Sequence, residues 1–428
     1  MILKCFLVLW VQGRCKPNTM EQVPIAEAQP VLARFCVQRY ETFCKLNQNS
    51  TKKFGFLFAY LYFCSMKQQI CIFTGARPNF VKVAPLIRAI EHNDECSYQL
   101  VYAGREDDPT LEPSLFSDLE MPHPDVYLGV DCENLNELTG RVMAEFEHYL
   151  EQHPVDSVIV VDDLASTMAA AIVTKKRGAR LAHLVAGTRS FDINMPKEIN
   201  RLVIDGLSDM LFTAGIGSSS IATREGAELH KIYMVGNILM DQLRYCRQRW
   251  QRPACLEGIE DGHYLVFTLN RKALLASEGN LLLMLQAIAR EAGSVPVIAP
   301  LRGQAAKTVQ KLMSQHPEIE VAIRIVPSLG YLEFGYLTSR AKGIITDSGN
   351  VAEEATFNHV PCITLNSYTE HQETVKQGTN VLVGEDADRL ASELHRLLQG
   401  EWTTGQLPDR WDGRTAERIV SMLCASTQ

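Results

Sequence analysis

From Met66 onward, short apolar runs alternate with amphipathic stretches of 12 to 18 residues along nearly the whole chain. In a first half, Ile70–Thr74, Tyr98–Ala103, Ser157–Val161, Arg180–Leu184, Met210–Thr213 and Ile232–Val235 read as strands. Helical periodicity lies between them, near Pro78–His92, Asn134–Gln152, Ala165–Arg177, Pro196–Leu207 and Ser218–Gly226. The pattern restarts with strands at Tyr264–Leu269, Val295–Ala299, Val321–Val326, Gly343–Ile345, Pro361–Thr364 and Asn380–Val383. Helices near Glu278–Ala292, Lys307–Gln315, Tyr331–Arg340, Val351–Phe357 and Ala387–Leu398 separate them. Strands this apolar are buried on both faces, which calls for an α/β fold of parallel sheets with helices on each side. Leu239–Gln251 reads as a bridging helix and Pro253–His263 as a loop. The expected domains are therefore 66–250 and 251–412, followed by a C-terminal helix over 413–428. Open α/β sheets bind ligands beyond the carboxyl ends of their strands, so two halves in tandem predict a shared cleft.

Residues 1–65 break the pattern. They hold 11 of the 33 aromatic residues and 5 of the 12 cysteines. Their apolar runs, Ile2–Val11 and Phe54–Cys64, fall short of the ~20 residues of a spanning helix. This segment is expected to be an extension outside the working protein, or else a membrane-associated leader, with the folded part beginning at Met66. Composition is that of a globular protein, 46% apolar and 21% charged. A net charge of −8 with no basic run argues against a nucleic-acid partner. Any anionic ligand must then be held by a few placed cations. The seven cysteines from Cys71 onward are scattered, with no CxxC pair, which predicts reduced thiols, a cytoplasmic location and no zinc site.

Several strand ends carry groups suited to chemistry. Ile344-Ile345-Thr346-Asp347-Ser348-Gly349-Asn350 reads as a strand stopping at a turn that opens a helix. Free N–H groups at such a start attract a phosphate, and Glu354 lies about one and a half turns on. Gly75-Ala76-Arg77-Pro78 follows the first strand, so Arg77 and Lys82 would clamp a diphosphate or simply decorate a solvated helix start. Asp162-Asp163 ends another strand, as acid/base carboxylates, metal ligands or a helix N-cap. Glu198 and Arg201 share a helix face, as part of a site or as a surface ion pair. Arg271 is expected to project into the cleft from the second half, and His371 follows a later strand there.

Taken together, Gly75-Ala76-Arg77-Pro78 with Lys82 and Pro85, Ala186-Gly187-Thr188-Arg189, Glu198-Ile199-Asn200-Arg201, Val235-Gly236-Asn237 and Thr346-Asp347-Ser348-Gly349 with Glu353-Glu354 resemble the non-hydrolysing UDP-N-acetylglucosamine 2-epimerases. The resemblance runs from about Met66 to the C-terminus. It implies a GT-B fold, two Rossmann-like domains around a central cleft, assembled as a homodimer and serving cell-surface polysaccharide biosynthesis. It also implies an isomerase acting on a UDP-sugar by elimination and re-addition of UDP, with no cofactor, no metal and no membrane for residues 66–428. By position, Asp163 and Glu198 would be acid/base carboxylates and Arg271 would steady the leaving diphosphate. Ser348, Gly349, Asn350 and Glu354 would hold the uridine diphosphate and ribose, with Phe334 near the base. Arg77, Lys82 and His371 would complete the substrate site. The chain departs from the family pattern at Val185, where the family has a glutamate, and at Asn270, where it has a histidine. Gly104-Arg105 replaces a Gln-His pair, and His371 stands at an arginine position. A glycosyltransferase, a UDP-sugar hydrolase or a non-catalytic nucleotide-sugar binder is the alternative.

Overall fold

Successive side chains of a strand point to opposite faces, and in the first strand both faces are apolar. The computed structural model divides the chain into two units, Met1–Met66 and Lys67–Gln428. Residues 67–111 and 113–425 are described here, so the readings placed on residues 1–65 and Met66 lie outside them. The first sheet comprises β1 (Gln68–Thr74), β2 (Cys96–Tyr102), β3 (Val126–Tyr127), β4 (Ser157–Val161), β5 (Arg180–Ala186), β6 (Met210–Thr213) and β7 (Ile232–Met234). Their order is β3-β2-β1-β4-β5-β6-β7, all parallel. The second contains β8 (Leu265–Phe267), β9 (Val297–Pro300), β10 (Ile323–Val326), β11 (Gly343–Thr346), β12 (Cys362–Thr364) and β13 (Asn380–Leu382). It runs β10-β9-β8-β11-β12-β13, also parallel.

Ile70 and Ile72 of β1 join one core cluster with the helices Arg77–Glu91 and Ile238–Cys246, while Cys71 and Phe73 join another with Leu135–Gln152 and Ala165–Lys176. In β8, Leu265 and Phe267 face one cluster and Val266 the other. Both sheets are thus covered on each side, the doubly wound α/β architecture that the apolar runs predict. The C-terminal helix Thr415–Ala425 returns to the first half, where Trp411, Ile419 and Leu423 are buried beside Phe80 and Leu86.

Two expectations need correction. The run Val321–Val326 is not one strand: Pro317–Ala322 is helical and only Ile323–Val326 is extended. Pro317 sits at the first turn, and Glu318 and Glu320 complement the helix N-terminus. Val321, apolar but 90% exposed, misleads any reading based on hydropathy. The thiols are not all reduced, since Cys96 and Cys424 form a disulfide joining β2 to the C-terminal helix. A separation of 328 residues leaves no spacing signal for that pair.

Sheet order reverses between β1 and β4 in the first half and between β8 and β11 in the second. Such switch points open crevices at the carboxyl ends of the strands. The turns after β1, β4, β8 and β11 carry Arg77, Asp162-Asp163, Asn270-Arg271 and Asp347-Ser348.

Candidate active site

At the end of β1 the Asn79 carboxamide ties down the turn, its Oδ1 accepting from the Gly75 and Ala76 amides at 2.9 and 3.1 Å. Gly75 is required there, because a Cβ would lie 2.1 Å from the Ser166 hydroxyl. The helix Arg77–Glu91 starts next, and its Lys82 is buried. Asp162 takes Lys82 Nζ at 2.5 Å and Asn79 Nδ2 at 2.8 Å. Burial alone would push the Lys82 ammonium down, but Asp162 and Glu353 together outweigh it and hold its pKa above the usual lysine value. The cation expected to clamp phosphate is therefore already paired with Asp162. Asp162 adopts φ of 59°, a left-handed conformation, and its carboxylate meets the helix that follows β1.

Asp163 points elsewhere. Its Oδ2 takes the Arg201 guanidinium at 2.6 to 2.8 Å, and Lys197 Nζ lies 3.4 Å from Oδ1. Burial raises its pKa, but Lys197 and Arg201 overcome that and keep the carboxyl ionised, below its ordinary range. The neighbouring helix Ala165–Lys176 is capped at Leu164 with no side-chain bond, so neither aspartate serves as its N-cap. No metal-binding group of three or more His, Cys, Asp or Glu exists among the described residues.

Arg201, on the helix Pro196–Leu207, is the hub of this corner. It also meets Glu198 Oε2 and Glu370 Oε1, both at 3.0 Å. Glu198 and Arg201 are buried, so theirs is not a surface pair. The Glu198 carboxylate further accepts from Ser190 N and Oγ at 2.9 Å and Phe191 N at 3.0 Å. Burial opposes its ionisation, and these donors more than compensate. A proton transfer at Glu198 would require the 188–194 loop to release some of them. Glu370 belongs to the second half, as does Glu373, which accepts from Gly217 N at 3.1 Å at the start of the helix Ile216–Arg224. The segment after β12 thus clasps two helices of the first half.

In the second half, Asp347 Oδ2 accepts from the Asn270 and Arg271 amides at 2.7 and 2.5 Å, locking the turn after β8 against the turn after β11. Burial raises the Asp347 pKa. The Arg271 guanidinium binds Asn366 Oδ1 at 2.9 Å and approaches Glu385 at 3.5 Å; the Asn270 side chain, at a catalytic position in the resemblance, is exposed. Ser348 caps the helix Gly349–Phe357, taking Val351 N at 3.5 Å. The Gly349 and Asn350 amides have no acceptor among the described residues, which leaves an anion cradle. Glu354 is buried one turn deeper, and burial together with the neighbouring Glu353 pushes its pKa to about 8, against an opposing pull from Arg77. Phe334 is half-buried on the helix Tyr331–Ser339, packed against the cluster around Val351.

His371 brings in residues to which sequence reading assigned no role. Its Nδ1 lies 2.8 Å from Glu353 Oε1, and the same oxygen takes Asn237 Nδ2, from the first half, at 2.6 Å. Glu353 is 2% exposed and, with Lys82, Val185 and Asn237, lines a small pocket between the halves. Val185 has φ of 74°, a strained value for a β-branched residue. It is held there because Asp205 fixes the chain on both sides, binding His183 Nδ1 at 2.6 Å and the Gly187 amide at 3.1 Å. Two adjacent acids in Glu353-Glu354 were a visible signal for an inward pair, since buried carboxylates need partners.

These carboxylates, cations and helix start are linked through Lys82, Glu353, His371 and Glu370, and comparisons with known proteins identify the family. The sequence model of the UDP-N-acetylglucosamine 2-epimerase family matches residues 88–424. UDP-N-acetylglucosamine 2-epimerase of Methanocaldococcus jannaschii is 31% identical over 365 residues, covering 83% of this chain and 98% of that protein. UDP-2,3-diacetamido-2,3-dideoxy-D-glucuronate 2-epimerase of Pseudomonas aeruginosa is also 31% identical, over 83% of this chain and 99% of its own. The crystal structure of the Methanocaldococcus jannaschii UDP-GlcNAc 2-epimerase in complex with UDP-GlcNAc and UDP is similar with a TM-score of 0.74 at 29% identity, over 84% of this chain and 100% of that one. Two parallel sheets in the GT-B arrangement and relatives aligned over nearly their full length lead to one conclusion: the chain belongs to the UDP-N-acetylglucosamine 2-epimerase family.

Proposed function

We propose that this protein interconverts UDP-N-acetylglucosamine and UDP-N-acetylmannosamine by eliminating and re-adding UDP. The reading is carried by the anion cradle at Gly349-Asn350, beneath His371, and by the arginine-held Asp163, whose Arg201 also binds Glu370 beside that histidine. In this reading Asp163 removes the proton at C2, the C2–H electron pair becomes the C1–C2 double bond, and the C1–O pair leaves with UDP. A proton taken up from solvent by Glu198, once Ser190 and Phe191 release its carboxylate, is delivered to the other face and sets the manno configuration. Arg271 steadies the diphosphate, Glu354 takes the ribose, and Arg77 and Phe334 flank the nucleotide. A related UDP-N-acetylhexosamine is the second reading, favoured by Val185, which presents an apolar wall where the family has a carboxylate. We further place the protein in the cytoplasm, as a homodimer; the exposed apolar residues Phe191, Ile193, Ile199 and Leu202 on one loop and helix support the dimer.

Incubation with UDP-N-acetylglucosamine in D₂O, followed by proton NMR, tests the reading. The expected result is deuterium at C2 together with the manno isomer. Release of UDP with no exchange indicates a hydrolase or transferase, and mere broadening of signals a binder. Asp163→Asn is expected to slow C2 exchange by ~10²-fold or more, as loss of a general base does. Exchange at the full rate in that variant would remove Asp163 from the mechanism.

A further inference from the structure

Three cations around the cleft are committed to neighbouring side chains, whereas His371 is committed on one edge only. Lys82 is taken by Asp162, Arg201 by Asp163, Glu198 and Glu370, and Arg271 by Asn366 and Glu385. His371 is committed through Nδ1 only. Its other edge lies over the cradle: a Cβ built on Gly349 would sit 3.0 Å from His371 Cδ2 and 3.4 Å from Nε2. Nε2 has no hydrogen-bond partner among the described residues. A buried carboxylate that binds one ring nitrogen orients the imidazole and aims the other, the usual construction of a working histidine. Here Glu353 does this, and Asn237 reaches across from the first half to hold the same Glu353 oxygen.

We propose that His371 is the general acid for departure of the nucleoside diphosphate, with Glu353 and Asn237 as its positioning residues. The inference rests on the elimination chemistry proposed above. As the C1–O bond breaks, its electron pair stays on the β-phosphate oxygen, which takes the Nε2 proton. Asp163 accepts the C2 proton in the same step, and the imidazolium becomes a neutral imidazole still bonded to Glu353. Re-addition reverses the transfer and returns the proton to Nε2.

An arginine at this position would supply charge but no proton, since its guanidinium is not deprotonated in proteins. Histidine supplies both. It also fits the loss of a titratable group at Asn270 on the same side of the cleft. The charged groups facing His371 are Glu353 from the helix Gly349–Phe357, Glu370 from its own segment and Lys82 from the helix Arg77–Glu91. Burial pulls the imidazole pKa down and Lys82 adds to that, but Glu353 and Glu370 outweigh both and leave it above the ordinary histidine value. The acid form therefore persists to higher pH than in an ordinary histidine and is lost as pH rises further.

The test uses the full-length protein, UDP-N-acetylglucosamine as substrate and UDP as binding probe. The wild-type kcat should fall along an alkaline limb that lies above the pH at which an ordinary histidine titrates. His371→Arg should bind UDP within about threefold of wild type, yet lose ~10²-fold in kcat, with the alkaline limb abolished. Glu353→Gln, checked for an unchanged circular dichroism spectrum, should move that limb to lower pH, a change that a purely structural role would not cause. Full kcat in His371→Arg, or an unmoved limb in Glu353→Gln, overturns the proposal and leaves the epimerase reading standing. A wild-type protein that shows no C2 exchange overturns both.

Discussion

Arg201→Met is expected to destabilise the protein by about 3–5 kcal/mol at neutral pH, the usual cost of stranding buried charge. The guanidinium meets three carboxylates at once, Asp163, Glu198 and Glu370, whose side chains are 13%, 3% and 22% exposed. Methionine matches the aliphatic stem, so the change isolates the charge. The sign with pH is fixed by the partners. Asp163 and Glu198 are held below their ordinary carboxyl range, so their contribution is present above that range and disappears as pH falls through it. The gap in melting temperature between wild type and variant should be widest near pH 7 and close toward pH 4. Arg201→Lys should recover less than half of the loss, because an ammonium cannot span three partners in the fork geometry of arginine. Melting temperatures within 1 °C of one another at pH 7 would show the hub to be ornamental.

Much of this site can be read in the chain because it is local. Gly75 to Lys82, Asp162-Asp163 and Asp347 to Glu354 are each a strand end running into a helix, and such turns declare themselves through apolar runs that stop at Gly, Asp or Ser. Helices with clear termini, Pro196–Leu207 and Ala387–Leu398, match their expected bounds for the same reason. What escapes is what depends on distance. Lys82 reads as a phosphate ligand until the fold brings Asp162 against it from 80 residues away. Asn237 and Glu353, 116 residues apart, meet only because the halves face each other. The short edge strand Val126–Tyr127 carries too little periodicity to be seen. The C-terminal helix has an amphipathic pattern that predicts its existence but is silent about which half it covers. Apart from that edge strand, local propensity was right in these cases and tertiary pairing supplied the rest.

Glu354→Gln should make the protein more stable and a poorer binder of UDP. The Glu354 carboxyl is buried without a cation strong enough to match it, and its pKa rises to about 8 against an ordinary 4.5. In the folded state it keeps a proton that the unfolded chain gives up, so stability falls as pH climbs from about 4.5 to about 8 and then levels off. The neutral amide escapes that penalty. Its advantage over wild type is therefore absent in acid and grows through neutrality to a plateau above pH 8, where it reaches a few kcal/mol and ~5 at the most. Denaturant titrations at pH 5 and pH 8.5 measure the difference directly. Binding should move the other way. A carboxylate that accepts ribose hydroxyls contributes about 1.5–3 kcal/mol, so its loss should weaken UDP by ~10- to 100-fold. Stability gained and affinity lost in one variant would mark Glu354 as a group kept for its ligand at the expense of the fold. A variant that is stabilised at pH 8.5 and binds UDP as wild type does would place the ribose elsewhere in the cleft; one with no gain at alkaline pH would mean that the buried carboxylate has a partner in solution.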